Sequence, residues 1–223
     1  MTKMIGKEFK MILVDDHKLF RYGIKLLIEN ENLGRVIGEA DDGQKFLELL
    51  ETEKPDLVIM DIDMPVMNGI RATEEALKTY PDLNILVLSM HGDQNHFNEL
   101  IAVGAKGFVL KSAGKQELED AINNVKRGAN HFSSELLYKI ILEINKPQRS
   151  GRHSANELQF SEREQEVLKH LCNGLSTNEI AEKMFLSTRT IESYRSKLLQ
   201  RTGIKTSTAL IIYAIKNKLV TIA

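Results

Sequence analysis

The chain has 223 residues, with 30 Lys and Arg against 31 Asp and Glu, 42% apolar and 27% charged. That length suits one large domain or two small ones, and that balance excludes a disordered or fibrous chain. A single cysteine, Cys172, excludes an intramolecular disulfide framework and a multi-cysteine metal site. The formal net charge of -1 argues, taken whole, against a nucleic-acid binder.

No apolar run approaches roughly 18 residues, and the first ten residues lack the apolar core of a signal peptide. The expectation is a cytoplasmic protein with no membrane partner. Through about residue 130, short β-rich runs alternate with amphipathic stretches. The runs are Met11–Val14, Val36–Ile37, Leu57–Met60, Ile85–Leu88 and Phe108–Leu110. Between them, Leu19, Gly23, Leu26 and Leu27, then Phe46, Leu49 and Leu50, then Ala72, Ala76 and Leu77 recur at helical spacing. Five strands alternating with five helices predict an α/β fold, a doubly wound five-stranded parallel sheet.

Ser134–Asn145, with Leu136, Leu137, Ile140, Ile141 and Ile144, reads as a helix leading into the polar, aperiodic segment Lys146–Glu157. That segment reads as a flexible linker. From 158 onward the rhythm is purely helical, and helices are expected at about 161–173, 176–184, 188–202 and 207–218. Ser161 with Glu164, and Ser176 with Glu179, fit the capping box. The tight Phe185-Leu186-Ser187 turn joins the second and third helices as a helix-turn-helix. The expected organisation is 10–130, 131–157 as linker helix and linker, and a small all-α four-helix unit at 158–223. Split at residue 145, the charge separates: 17 basic against 24 acidic residues before it, net -7, and 13 against 7 after it, net +6.

Asp15 and Asp16 follow the first strand, Asp61 the third, Lys111 the fifth, and Ser89 ends the fourth. These are the carboxyl ends of parallel strands, the edge where doubly wound sheets carry their sites. A single aspartate after a strand is most often a turn or capping residue. Five such positions at strand ends are not accounted for in that way. Clustered carboxylates need a cation, and hard oxygen ligands suit Mg²⁺. A carboxylate beside Mg²⁺ can attack a phosphoryl group and form an aspartyl-phosphate. Asp61, alone on its strand, is the candidate nucleophile.

Val-Asp15-Asp16-His, Asp61-Ile-Asp-Met-Pro65-Val-Met-Asn-Gly69, Leu-Ser89 and Gly107-Phe108-Val-Leu-Lys111 resemble the receiver domain of two-component response regulators. The resemblance implies a flavodoxin-like fold and phosphorylation of Asp61 by a sensor histidine kinase. It further implies Mg²⁺ held by Asp16, Asp61 and the Asp63 carbonyl with Asp15 assisting. Ser89 and Lys111 would contact the phosphoryl group, and Phe108 would be the switch aromatic. Ser112 stands where many receivers have a cis proline, so that peptide geometry is not carried over.

In the third helix of the basic half, Ile191, Tyr194, Arg195 and Leu198 share one face. Glu192, Ser193, Ser196 and Gln200 share the other, a polar face able to enter a major groove. Arg189, Arg195, Lys197, Arg201 and Lys205 flank it as candidate phosphate contacts. Phe160 to Leu168, Gly174 to Ala181 and Leu186 to Arg195 resemble the LuxR-type helix-turn-helix domain. Joined to a receiver, this is similar to a NarL/FixJ-family regulator. The resemblance implies double-stranded promoter DNA, the transcription machinery and a second copy of the chain as partners. It also implies a receiver that covers the recognition helix before phosphorylation. Thr188 and Thr190 would meet phosphate at the helix start, and Glu192 would accept from a cytosine amine. Leu210, Tyr213 and Ile215 of the last helix would serve dimerisation.

Two other readings stay open at this stage. Asp61-Ile-Asp63 resembles the D-x-D of haloacid-dehalogenase-type phosphatases, although there the motif follows the first strand. The other is a phosphate-independent dimeric DNA-binding regulator, against which the intact acidic set argues. The expectation is that the chain is not an enzyme, beyond assisting its own phosphoryl transfer and dephosphorylation.

Overall fold

The computed structural model describes residues 8–90, 103–132, 160–204, 206–217 and 219–220. In the first unit, β1 (Lys10–Val14), α1 (Lys18–Asn30), β2 (Arg35–Ala40), α2 (Gly43–Thr52), β3 (Leu57–Asp61), α3 (Gly69–Thr79) and β4 (Ile85–Ser89) alternate. They are followed by β5 (Gly107–Leu110), α4 (Lys115–Lys126) and β6 (His131–Phe132). The strand order is β2-β1-β3-β4-β5-β6, and every pairing is parallel. The expected five-stranded parallel sheet is present, extended by the two-residue β6. Sequence reading placed His131 and Phe132 in the linker, but both pair with β5.

Alternation along each strand sorts the apolar residues into two layers. Ile12, Val14, Val58, Met60 and Val87 face Phe46 and Leu50 of α2 and Ala72 and Ala76 of α3. Met11, Leu13, Leu57, Ile59 and Leu88 face Ile24 and Ile28 of α1 and Ile122 and Val125 of α4. Both faces of β3 and β4 are covered, which is why these strands read as unbroken apolar runs. Asp42 caps α2 and Asn68 caps α3 through their side-chain oxygens. The helix expected between β4 and β5, and the helix and linker expected at 134–157, lie outside the described residues.

The second unit holds α5 (Glu162–Cys172), α6 (Thr177–Met184), α7 (Thr188–Thr202) and α8 (Ser207–Lys216). Both capping boxes form in full, at Ser161 with Glu164 and at Ser176 with Glu179. Phe185 ends α6 in the left-handed conformation and Ser187 caps α7, which makes the turn short. Val167, Leu168, Ile180, Ile191, Leu198 and Leu210 build a core separate from the two layers of the sheet.

Candidate functional site

The sheet brings the carboxyl ends of β1, β3 and β5 together. Asp15 and Asp61 are buried, and the Lys111 ammonium lies 2.8 Å from Asp15 Oδ2 and 2.7 Å from Asp61 Oδ2. The lysine side chain is itself buried and sits over the Phe20 ring at 4.9 Å. Asp61 Oδ1 accepts the Ile62 backbone N–H at 2.8 Å, and Asp15 Oδ1 accepts that of His17 at 2.8 Å. Burial holds the Asp61 carboxyl above the usual carboxylate range; Lys111 opposes that rise and the neighbouring Asp15 charge adds to it.

Asp15, Asp16, His17 and Asp61 each offer a ligand atom, and these atoms all lie within 4.8 Å of one another. That donor set fits a small divalent cation with space left for water. Asp63, expected to offer its backbone carbonyl, has an exposed side chain that is not part of this group. Ser89 is buried at the end of β4, and its carbonyl accepts the Lys111 N–H at 2.7 Å. Phe108 is buried on β5. All five strand-end residues therefore converge on one edge.

Sequence reading missed three supporting residues. Arg21 donates to the Asp15 carbonyl and pairs with Glu39 at 3.1 Å, tying α1 and β2 to the first aspartate. His17 was read as a helix-start residue, and it is the N-cap position of α1. Its Nδ1 also lies 2.8 Å from Asp16 Oδ1, within the acidic group. Gly69 donates to the Ile62 carbonyl at 2.8 Å, and a Cβ there would stand 1.9 Å from the Asp61 carbonyl oxygen. Only glycine permits this approach. The Lys111-Ser112 peptide is trans, as are the other described bonds. Met60 and Met64 are core residues and Met67 packs on that core, whereas Met90 is exposed.

In α7, Ile191 and Leu198 are fully buried and Tyr194 and Arg195 half-buried, while Glu192, Ser193, Ser196 and Lys197 are exposed. The expected two faces are thus present. Thr188 and Arg189 are exposed at the helix start, and Thr190 shares a hydroxyl contact of 2.7 Å with Ser187. Arg195 Nη1 reaches Thr177 Oγ1 at 3.4 Å. Two residues sit differently from their expected roles. Arg201 Nη1 donates to Glu164 Oε2 at 2.6 Å and the guanidinium lies over the Phe160 ring, which engages it inside the domain. Leu210 is fully buried in the domain's own core and Ile215, half-buried, packs against that core, which leaves half-buried Tyr213 of the three.

Comparison with known proteins matches residues 11–123 to the response regulator receiver domain and residues 158–214 to the bacterial regulatory proteins of the luxR family. The transcriptional regulatory protein DegU of Brevibacillus brevis is 30% identical over 94% of each chain. The oxygen regulatory protein NreC of Staphylococcus carnosus is 30% identical over 94% of this chain and 98% of its own. Among solved structures, the RcsB response regulator of Salmonella typhimurium is similar with a TM-score of 0.57 and 25% identity, over 92% of this chain and 97% of its own. RcsB has also been solved as a complex with DNA. None of the described helices is long and apolar enough to cross a membrane. A receiver with its acidic edge, a helix-turn-helix with its polar face outward, and relatives that share both along nearly their full length agree: this chain belongs to the NarL/FixJ family of two-component response regulators.

Proposed function

We propose that Asp61 is the phosphoacceptor and that a sensor histidine kinase, by phosphorylating it, switches sequence-specific DNA binding by the unit at 158–223. The observation that supports this most directly is the Lys111 ammonium set between Asp15 and Asp61. It is a buried cation at salt-bridge distance from the nucleophile. In the transfer, an Asp61 oxygen forms the new O–P bond as the P–N bond of the donor phosphohistidine breaks, and the imidazole leaves with the bonding electron pair. Lys111 then pairs with a phosphoryl oxygen in place of the carboxylate. The Ser89 hydroxyl, at the end of the adjacent strand, supplies a further donor.

Asp15, Asp16, Asp61 and the Asp63 carbonyl would hold Mg²⁺, which supplies positive charge against the clustered carboxylates and the incoming phosphoryl oxygens. Phosphorylation adds charge and acceptor oxygens at the sheet edge, and Ser89 and Phe108 shift in response. In the DNA-binding unit, Glu192, Ser193 and Ser196 face the bases. Thr188, Arg189, Thr190, Arg195 and Lys197 lie along the phosphates. A two-fold dimer reads an inverted repeat, and the setting is the cytoplasm.

Acetyl phosphate with Mg²⁺ tests the assignment. Intact-mass spectrometry should show one added phosphoryl group on the wild type and none on Asp61→Asn. Stoichiometric labelling that persists in the variant overturns it.

A further inference from the structure

The acidic edge holds one side chain that the phosphoryl-transfer reading does not use. His17 stands at the N-cap position of α1, but its side chain makes no capping hydrogen bond. The ring instead turns into the carboxylate group, where Nδ1 lies 2.8 Å from Asp16 Oδ1 and 3.4 Å from Asp15 Oδ1. Asp16 Oδ1 is buried and accepts no hydrogen bond, so this close approach leaves it unsatisfied. The His17 N–H donates to Asp15 Oδ1 at 2.8 Å, a turn that fixes where the ring leaves the chain.

We propose that His17 is a fourth protein ligand at this edge, and that it lets the site take Zn²⁺ in competition with Mg²⁺ and so close to the phosphoryl group. The inference rests on the Asp61 reading and adds to it a second ion that shuts the same site. Three carboxylates, Asp15, Asp16 and Asp61, face the single Lys111 ammonium. The two negative charges left over are cancelled by one divalent ion.

The fourth donor decides which ion is favoured. Mg²⁺ is hard, keeps an octahedral shell of oxygens and water, and gains little from nitrogen. Zn²⁺ takes carboxylate oxygen and imidazole nitrogen alike, and four ligands complete it. Around a tetrahedral ion with bonds of about 2.0–2.1 Å, neighbouring donors stand about 3.3–3.4 Å apart. His17 Nδ1 and Asp15 Oδ1 already keep that spacing, and all four ligand atoms lie within 4.8 Å of one another. Asp15 and Asp61 are buried and fixed, whereas the Asp16 side chain is 32% exposed and that of His17 65% exposed. The outer pair can therefore close on an ion held by the inner pair. Mg²⁺ on the carboxylates keeps water positions that a phosphoryl oxygen can take. An ion with four protein ligands keeps none.

Metal binding by the full chain tests this. Zn²⁺ and Mg²⁺ are titrated into the wild type and His17→Ala, with a chromophoric chelator setting the free Zn²⁺. In the wild type, added Mg²⁺ should weaken the apparent Zn²⁺ affinity. His17→Ala should lower the ratio of Zn²⁺ to Mg²⁺ affinity by about tenfold or more. Co²⁺ gives an independent reading on the wild type alone: the strong visible band of the four-coordinate ion should appear, and Mg²⁺ should bleach it. With Mg²⁺ and acetyl phosphate, Zn²⁺ should suppress phosphoryl labelling in intact-mass spectra as it fills the site. An affinity ratio that His17→Ala leaves within about twofold overturns the inference. So does Zn²⁺ binding indifferent to Mg²⁺, which would place the ion elsewhere, or labelling that proceeds undiminished at Zn²⁺ saturation. Failure of Asp61 to accept phosphate from acetyl phosphate with Mg²⁺ alone is a different result and removes the proposed function, and this inference with it.

Discussion

Replacing Arg201 by Ala separates two roles for one guanidinium. As a DNA contact, its loss would weaken binding and flatten the salt dependence while leaving the fold alone. The structure points elsewhere, because Arg201 reaches Glu164 at 2.6 Å and covers the Phe160 ring. Glu164 is 6% exposed and its carboxylate serves the α5 capping box, accepting from the Ser161 N–H and hydroxyl. Removing one partner of a fully buried ion pair costs about 3–5 kcal/mol. The Arg201 side chain is 37% exposed, so water screens its charge and the figure has to be cut. Part of the Glu164 hydrogen bonding also survives through Ser161. Lost coverage of Phe160 adds about 0.5–1 kcal/mol. The sum is roughly 2 kcal/mol, or about 8–16 °C in the melting temperature of so small a domain. Calorimetry of the full chain should show the transition of the DNA-binding unit shifted down and that of the receiver unmoved. An unshifted transition, together with a slope of log affinity against log salt reduced by about one unit, would refute the brace and restore the phosphate contact.

Other outcomes follow from the same geometry. Gly69→Ala puts a Cβ against the Asp61 carbonyl, so it should destabilise the receiver by roughly 2–4 kcal/mol in urea unfolding and slow labelling by acetyl phosphate. Arg195→Ala should weaken DNA binding across sequences, whereas Glu192→Ala should change the preferred bases; selection from a random duplex pool distinguishes the two. Burial would raise the Glu164 carboxyl, but the Ser161 N–H and Arg201 together hold it below the ordinary range. At α6 the Ser176 N–H and hydroxyl likewise hold the Glu179 carboxyl low. A lowered folded-state pKa in an acid contributes stability above the unfolded value, lost as pH falls through the folded one. Acid unfolding of the DNA-binding unit should therefore begin below about pH 4.3, and Glu164→Gln should flatten that limb.

What could be read from the sequence is what depends on near neighbours in the chain. Ser161 and Glu164 are three residues apart, and the capping box they form is local chemistry. The strand ends were legible for a related reason. Apolar runs stop at Asp15, Asp61, Ser89 and Lys111, and parallel pairing then carries all four to one edge. Contacts made across the fold left no such signal. Arg201 is 37 residues from Glu164, so its charge looked like part of a basic DNA-facing patch. The two residues of β6 lack any periodicity of their own and are strand only because β5 offers an edge. In α8 the surplus of apolar residues suggested a dimer face. Leu210, Ile211 and Ala214 turn inward, and Ala209 and Ile212 turn onto the receiver. A second apolar face is visible in sequence, but what covers it is a property of the assembled fold.

The net charge of -1 hides a receiver half at -7 and a DNA-binding half at +6. Opposite charges of that size attract, yet the junction itself is not built from them. Its buried contacts are Thr208 on the Ala105 carbonyl and two apolar side chains, and its ion pair Arg127–Glu179 is largely exposed. The long-range attraction is screened beyond about 8 Å at physiological salt and beyond about 3 Å near 1 M. Burial of Ala209 and Ile212 is not screened and is strengthened by salts excluded from the surface. The two contributions therefore answer salt in opposite ways. If attraction between the halves holds the closed form, small-angle scattering of the unphosphorylated chain should show the radius of gyration rising between low and high sodium chloride. If the α8 contact holds it, the radius should stay constant with sodium chloride and rise only with Leu77→Glu or acetyl phosphate. The contacts at α8 favour the second result, and a salt-driven expansion in the wild type would show that the charge split, not the packed face, carries the closure.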